Sequence, residues 1–307
     1  MRGSDRMRKL RRLLKYFGIN ALGKRAYAFY VEPWLTQLPF HTLRMLADLE
    51  EFSALKPLML KTSGKSPVLV FAPHQDDEII GAGGSLIKHV QRGDRVRVVY
   101  LTDGGFADIA VSDYAETGEY VRRRDQEARW VCEALGASEP TFYAFENELT
   151  VMWSQLDDMA QRMARDIDQD GPGVVYIPFF LDNHPIHRLS NIALARAIRG
   201  LGHSSFQVCG CSVWSLMPTN VAVDIMYELP KKMALLSLYS SQYPILDYMN
   251  WTEGMNRYQT RLVMRTDRSG AGLGAVECFF RLPARDYADI VLNHADDMVG
   301  MVGLETS

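Results

Sequence analysis

Two short clusters in this 307-residue chain combine residue types that packing alone rarely brings together. The first, Pro73-His74-Gln75-Asp76-Asp77-Glu78, crowds one imidazole and three carboxylates into six residues. The second lies far downstream, where Asp182-Asn183-His184-Pro185-Ile186-His187 carries two imidazoles. His74 and Asp77 have two residues between them, a spacing that can turn both side chains toward one point in a tight turn or a first helical turn. Such a pair can hold one metal ion. A catalytic zinc usually takes three protein ligands and leaves a fourth position for water, so a third donor must come from elsewhere. The two-histidine loop is its best source. The competing explanation is ordinary capping, since an Asp after a strand often satisfies the free amides of a helix N-terminus. Capping accounts for either cluster alone and leaves their joint presence unexplained.

Each cluster follows an apolar run. Residues 66–72, Ser-Pro-Val-Leu-Val-Phe-Ala, and 173–178, Gly-Val-Val-Tyr-Ile-Pro, read as buried strands bounded by turn residues. Ligands of open α/β sheets bind beyond the carboxyl ends of parallel strands, so two strand ends are expected to face each other across a site. The wider pattern agrees: strands are expected at 68–72, 96–102, 174–177 and 207–216, and helices at 85–92, 119–135, 154–168 and 187–199. This β-α-β alternation predicts a Rossmann-like, three-layer α/β domain with a mostly parallel sheet. From residue 221 the texture changes. A strand, a helix over 230–241, a Tyr- and Asn-rich stretch and the Gly-rich residues 269–275 suggest a lid-like or substrate-shaping region. Residues 1–63 read as a helical N-terminal extension and 64–307 as the catalytic domain.

The chain resembles the LmbE-like or PIG-L-type deacetylases, which remove the acetyl group from N-acetylglucosamine units of small glycosides and glycolipids. The resemblance rests on Ala72-Pro73-His74-Gln75-Asp76-Asp77-Glu78 with Gly81-Ala82-Gly83-Gly84, on Leu101-Thr102-Asp103-Gly104, and on Arg124-Asp125-Gln126-Glu127 leading to Leu135-Gly136. His184-Pro185-Ile186-His187, Lys232-Met233-Ala234-Leu235 running to Ser241-Gln242, and Gly274-Ala275-Val276-Glu277-Cys278-Phe279 continue it in order. It implies that His74, Asp77 and His187 ligate a zinc ion or another divalent transition metal, that Asp76 is the general base, and that a protonated His184 stabilises the developing charge. An amide nitrogen leaves only when protonated, and either Asp76 or His184 could supply that proton. The substrate would be a small or lipid-linked amino sugar. Two positions depart from the family pattern: Gln75 stands where proline is common, and Ile186 where an aspartate often separates the histidines. Asp182 or Glu78 could supply that outer carboxylate, which typically changes metal affinity or activity about 10- to 100-fold.

Outside the metal cluster, the resemblance makes Arg124 a substrate contact, although Arg122, Arg123 and Arg124 could equally coat the wet face of a helix whose Ala128, Val131, Cys132 and Leu135 point inward. Asp103, at a strand end, could orient a ligand or close a Gly-rich turn. Tyr176 and Trp214 read as core residues. The glycines after the first cluster lack the spacing of a dinucleotide fingerprint, and a phosphate there would meet three carboxylates. A metal-dependent phosphoesterase would need more bridging carboxylates, and a noncatalytic binding module would not need Asp76 and His184.

The formal charge of −3 gives no global attraction to nucleic acid. The four cysteines, Cys132, Cys209, Cys211 and Cys278, lack paired spacing and are expected as buried thiols, which suits a reducing, cytoplasmic compartment. No apolar run is long enough to span a bilayer. Met7, Leu10, Leu13, Leu14 and Phe17 recur at helical spacing opposite Arg8, Lys9, Arg11, Arg12 and Lys15. That helix could lie on an anionic membrane, pack on the catalytic domain, or join two copies of the chain.

Overall fold

The computed structural model describes residues 58–59, 65–105, 117–202, 204–242, 247–260 and 274–300. The basic helix expected over 7–17 lies outside these residues, as does the rest of the N-terminal extension apart from Leu58–Met59 and most of the Gly-rich stretch 269–275. Eight strands form one sheet: β1 Leu58–Met59, β2 Val68–Ala72, β3 Val96–Thr102, β4 Thr141–Phe145, β5 Val174–Pro178, β6 Gln207–Cys211, β7 Val221–Asp224 and β8 Val276–Pro283, in the order β1-β7-β8-β6-β5-β2-β3-β4. Only β8 runs antiparallel to its neighbours, β6 and β7.

The apolar runs alternate in the sense that places helices on both faces. Val68, Val70 and Ala72 of β2 enter one core, while Leu69 and Phe71 enter the other. The first core is closed by α1 Asp77–Arg92, α2 Thr117–Leu135 and α6 Leu229–Leu236, with Tyr248 from α7 Tyr248–Gln259. The second is closed by α3 Leu149–Ser154, α4 Leu156–Asp170, α5 Pro185–Gly200, α8 Ala284–Asn293 and α9 Ala295–Gly300. The result is the expected three-layer, Rossmann-like arrangement. Its chain reversal falls between β2 and β5, where α1 and α5 leave the sheet on opposite faces and open a crevice at the strand ends.

Three expectations change. The region from residue 221 is not wholly a lid, because β7 and β8 extend the sheet itself. The strand expected over 207–216 stops at Cys211. Helix α1 begins at Asp77, inside the acidic cluster, eight residues before the expected start at Ser85. Glycine disfavours helix by about 1 kcal/mol per residue, which hid that start; here close packing outweighs propensity. A Cβ on Gly81 would lie 2.7 Å from Cys211 Cβ, and one on Gly84 would lie 2.6 Å from Ile225 Cγ2. The glycines let α1 press on the sheet. A buried ion pair pins the same turn: Lys232 Nζ donates to Ile80 O and Glu277 Oε1, and Glu277 accepts the Gly84 and Ser85 N–H groups. All four cysteines are buried free thiols, as expected.

Candidate metal centre and active site

Strand β2 ends in a turn under strain. Asp76 occupies the N-cap of α1 with φ 137° and ψ −27°, a conformation that L-residues rarely adopt, that costs about 1–3 kcal/mol and that persists only where its surroundings enforce it. They do. Arg124, buried on α2, donates from Nη2 to Gln75 O at 2.7 Å and from Nη1 to Gly104 O at 2.9 Å, while Glu78 Oε2 accepts the Asp76 N–H at 3.2 Å. Asp76 makes no side-chain cap bond, so the capping explanation fails for it. Its Oδ2 instead lies 3.4 Å from Arg124 Nη2. Asp77, in the first turn, points backward and accepts the His74 N–H at 2.9 Å.

Helix α5 brings the second cluster to the same point. Pro185 opens the helix and His184 sits at its N-cap, also without a side-chain cap bond. His187, fully buried in the first turn, then reaches across the crevice. Its Nε2 lies 3.1 Å from Asp77 Oδ2 and 3.2 Å from His74 Nδ1, and the latter two atoms are 3.2 Å apart. A tetrahedral ion with bonds of about 2.0–2.2 Å spaces its ligand atoms roughly 3.3–3.5 Å apart. The three donors fall a few tenths of an ångström inside that spacing. His184 also offers a nitrogen within 4.8 Å of those of His74 and His187, but the triangle containing Asp77 is the tighter one. Its Nδ1 is buried with no hydrogen-bond partner.

Electrostatics support a cation at this place. Burial alone would raise Asp77, yet His187 and His74 outweigh it and hold the carboxylate well below the usual range. Burial would lower His187, but Asp77 and Asp182 push it up to about 10. The carboxylates of Asp77 and Asp182 therefore favour positive charge beside His187. Burial raises Asp76 well above an ordinary carboxylate, despite Arg124. Burial, reinforced by the neighbouring His74 and His187, drives His184 down to about 2, which favours its neutral imidazole.

The outer contacts were only partly legible. Asp182, fully buried, turns Oδ1 toward His187 Nδ1 at 3.4 Å and accepts the His184 N–H at 3.0 Å, which gives it the outer-carboxylate position left empty by Ile186. Glu78 turns away toward Tyr239, and burial raises it to about 7. His74 Nε2 meets Asn147 Oδ1 at 2.9 Å, which leaves Nδ1 to ligate. Asn147 escaped the sequence reading because its strand, β4, was not recognised; it too follows a strand end. Asp103 Oδ1 accepts the N–H groups of Gly105 and Asn147, the turn-closing alternative. Of the three arginines, Arg122 is exposed and Arg123 half-buried, whereas Arg124 is buried beside Asp76. Gln75 donates to Asp125 at 3.0 Å and touches none of the donor atoms.

Residues 69–198, which hold both clusters, match the family described as PIG-L, GlcNAc-PI de-N-acetylase. That stretch is similar to the PIG-L family. A Thermococcus kodakarensis protein named diacetylchitobiose deacetylase is 28% identical over 197 residues, 58% of this chain and 70% of that protein. The fold of this stretch and its flanks is similar to that of the N,N'-diacetylchitobiose deacetylase of Pyrococcus horikoshii, with a TM-score of 0.53 and 19% identity over 72% of this chain and 85% of that one. It is also similar to GalB, the 4-carboxy-2-hydroxymuconate hydratase of Pseudomonas putida, with a TM-score of 0.56 and 19% identity over 71% and 96% of the two chains. One scaffold thus carries more than one chemistry, and the site here must be argued from its own residues.

Proposed function

We propose that this chain is a metal-dependent N-deacetylase that hydrolyses the acetamide of an N-acetylglucosamine-type sugar, releasing acetate and the free amine. The observation that carries the reading is the triangle of His74 Nδ1, Asp77 Oδ2 and His187 Nε2, with edges of 3.1–3.2 Å, beside the strained carboxylate of Asp76. These three residues would hold the metal; the mixed nitrogen and oxygen donors suit zinc and also admit other divalent transition metals. Bound there, such an ion supplies Lewis acidity, polarising the amide carbonyl and bringing the pKa of water to about neutrality.

The chain's own groups supply the proton transfers. Asp76 carries no cap bond, so its carboxylate is available to take the proton of the attacking water. Its raised pKa suits it to hold that proton and pass it to the departing amine nitrogen. His184, neutral at rest, can present an N–H to the carbonyl oxygen, a contact whose removal typically costs about 100-fold or more in rate. Arg124 holds the Asp76 turn through two backbone carbonyls, so its substrate role, if any, is exerted from beneath that turn.

The match to this family and the named relatives support amino-sugar deacetylation as the reaction class. What the sugar is attached to, a second sugar, another small group or a lipid, is left to assay. None of the described helices is long and apolar enough to cross a membrane. The test is acetate release from N-acetylglucosamine, diacetylchitobiose and a lipid-linked acetamido sugar, with zinc content measured in parallel. No acetate from any of them by the zinc-loaded chain would overturn the reading, and turnover of an unsaturated carboxylate without acetate would point to hydration.

A further inference from the structure

A second set of side chains approaches the donor cluster and takes no part in the proton transfers above. Trp214 is half-buried, and its ring is tilted 35° on His184 with centroids 5.7 Å apart. Trp251 and Tyr248 continue the surface: the Trp214–Trp251 centroids are 5.4 Å apart, and Tyr248 stacks on Trp251 at 6.0 Å. The indole is held in register with the histidines. Its backbone N–H donates to Asp182 Oδ2 at 2.9 Å, and the other oxygen of that carboxylate serves His184 and faces His187. Tyr248 packs its ring in this wall, while its hydroxyl has no hydrogen-bond partner among the described residues. That hydroxyl is near enough to Asp76 and Arg124 for their charges to act on it.

The expectation that Trp214 is a core residue therefore covers only part of it. Its ring packs against the core and also lies tilted beside His184. Pyranose rings carry a C–H-rich face that packs on aromatic surfaces, and pockets for small polar ligands commonly pair such an apolar wall with a few placed donors. A group touching both Trp214 and His184 has to be the one bearing the reacting amide, since a more distant part of the substrate cannot reach the His184 ring.

We propose that Trp214 and Tyr248 form the wall against which the amide-bearing pyranose sits, Trp214 stacking on its C–H face and Tyr248 donating its hydroxyl to a sugar oxygen. The proposal rests on the amino-sugar reading above and adds residues that determine specificity.

The experiment titrates the zinc-loaded full chain with glucosamine and N-acetylglucosamine, following tryptophan fluorescence and calorimetric heat, with acetate release measured alongside. Wild-type binding should saturate and quench fluorescence. Trp214→Leu should raise Kd and KM about 10-fold, the size expected from losing one aromatic contact with its buried area. Tyr248→Phe, which keeps the ring packing, should raise KM by roughly 3- to 10-fold, as for one lost neutral hydrogen bond. Both losses should fall on KM more than on kcat, with zinc content unchanged. If Trp214→Leu fails to fold, Trp214→Phe and Tyr248→Phe carry the comparison. A wild type that deacetylates N-acetylglucosamine while the variants keep its Kd and KM overturns the wall alone. So does a loss confined to glycosides with a large aglycone. A wild type that neither binds nor deacetylates amino sugars overturns the functional reading and the wall with it.

Discussion

Asp182→Asn tests whether one buried carboxylate ties the donor cluster together. The side chain is fully buried, and both oxygens are committed: Oδ2 accepts the Trp214 N–H at 2.9 Å, and Oδ1 accepts the His184 N–H at 3.0 Å and faces His187 Nδ1 at 3.4 Å. For His187 to offer Nε2 to a cation, its proton must sit on Nδ1, which lies 3.4 Å from Oδ1 and makes no hydrogen bond in this structure. Asparagine keeps the volume but only one of its two positions accepts. Whichever way the amide turns, its NH2 meets either the Trp214 N–H or the His184–His187 side. A hydrogen bond to a charged group contributes about 1.5–3 kcal/mol, so losing one and turning an NH2 toward a donor should reduce stability by roughly 2–4 kcal/mol. Loss of an outer partner of a metal-ligating histidine should weaken zinc binding about 10- to 100-fold, or about 1.4–2.7 kcal/mol. Competition against a chromophoric chelator measures the affinity, and urea unfolding with and without zinc measures the stability. Zinc affinity within about 3-fold of wild type, with unfolding free energy within about 0.5 kcal/mol, would refute the reasoning.

Asp76→Asn should retain zinc and lose about 100- to 10,000-fold in kcat, because an amide cannot take the proton of water; metal analysis with a kcat–pH profile checks both, and near wild-type turnover removes Asp76 from the base role. Lys232→Met breaks a fully buried pair and strips Ile80 O of a donor, so urea unfolding should show about 3–5 kcal/mol of destabilisation. A loss below about 1 kcal/mol would mean that α1 is not pinned by this pair. His89, near the opposite end of α1 from the donor cluster, is lowered chiefly by burial although Asp94 opposes the shift. Its folded form stays neutral while the unfolded chain takes up a proton near pH 6.5, so it contributes stability above that pH which is lost as pH falls toward its folded pKa. Thermal melts from pH 8 to 5 should therefore show a smaller fall for His89→Gln than for the parent, and parallel curves would refute the assignment.

The buried strands were legible because nothing else explains runs such as Val68-Leu69-Val70-Phe71-Ala72, and the donors because imidazole and carboxylate at strand ends are hard to account for by packing. What stayed hidden follows a physical pattern. Strand β4 lies at the sheet edge and is mostly half-buried, and its run Phe142-Tyr143-Ala144-Phe145 is too short to stand out as a core strand, so Asn147 just past its end is not marked by the sequence. Trp214 was assigned to the core because the strand was extended past Cys211, whereas the chain leaves the sheet there and Asp182 captures the Trp214 amide. The start of α1 was masked by Gly81, Gly83 and Gly84, whose value lies in contacts with Cys211, Lys232 and Ile225 that only the folded chain brings near. The protonation state of His184 depends on three imidazoles meeting in one buried place, which spacing along the chain cannot express.

The crevice between β2 and β5 also constrains the order in which the molecule can assemble. His74 and His187 meet across 113 residues, and the groups that hold them, Asn147 and Asp182, arrive on still other segments. Closing so long a loop is entropically costly before any contact compensates, and parallel pairing adds its own delay. In an unfolded chain His74 and Asp77 stay close while His187 is 113 residues away, so the three-donor site forms only when the crevice closes. A cation bound by this triangle would lock a finished crevice. It should act on the escape from the native state, slowing unfolding in proportion to its affinity while leaving the refolding rate nearly untouched.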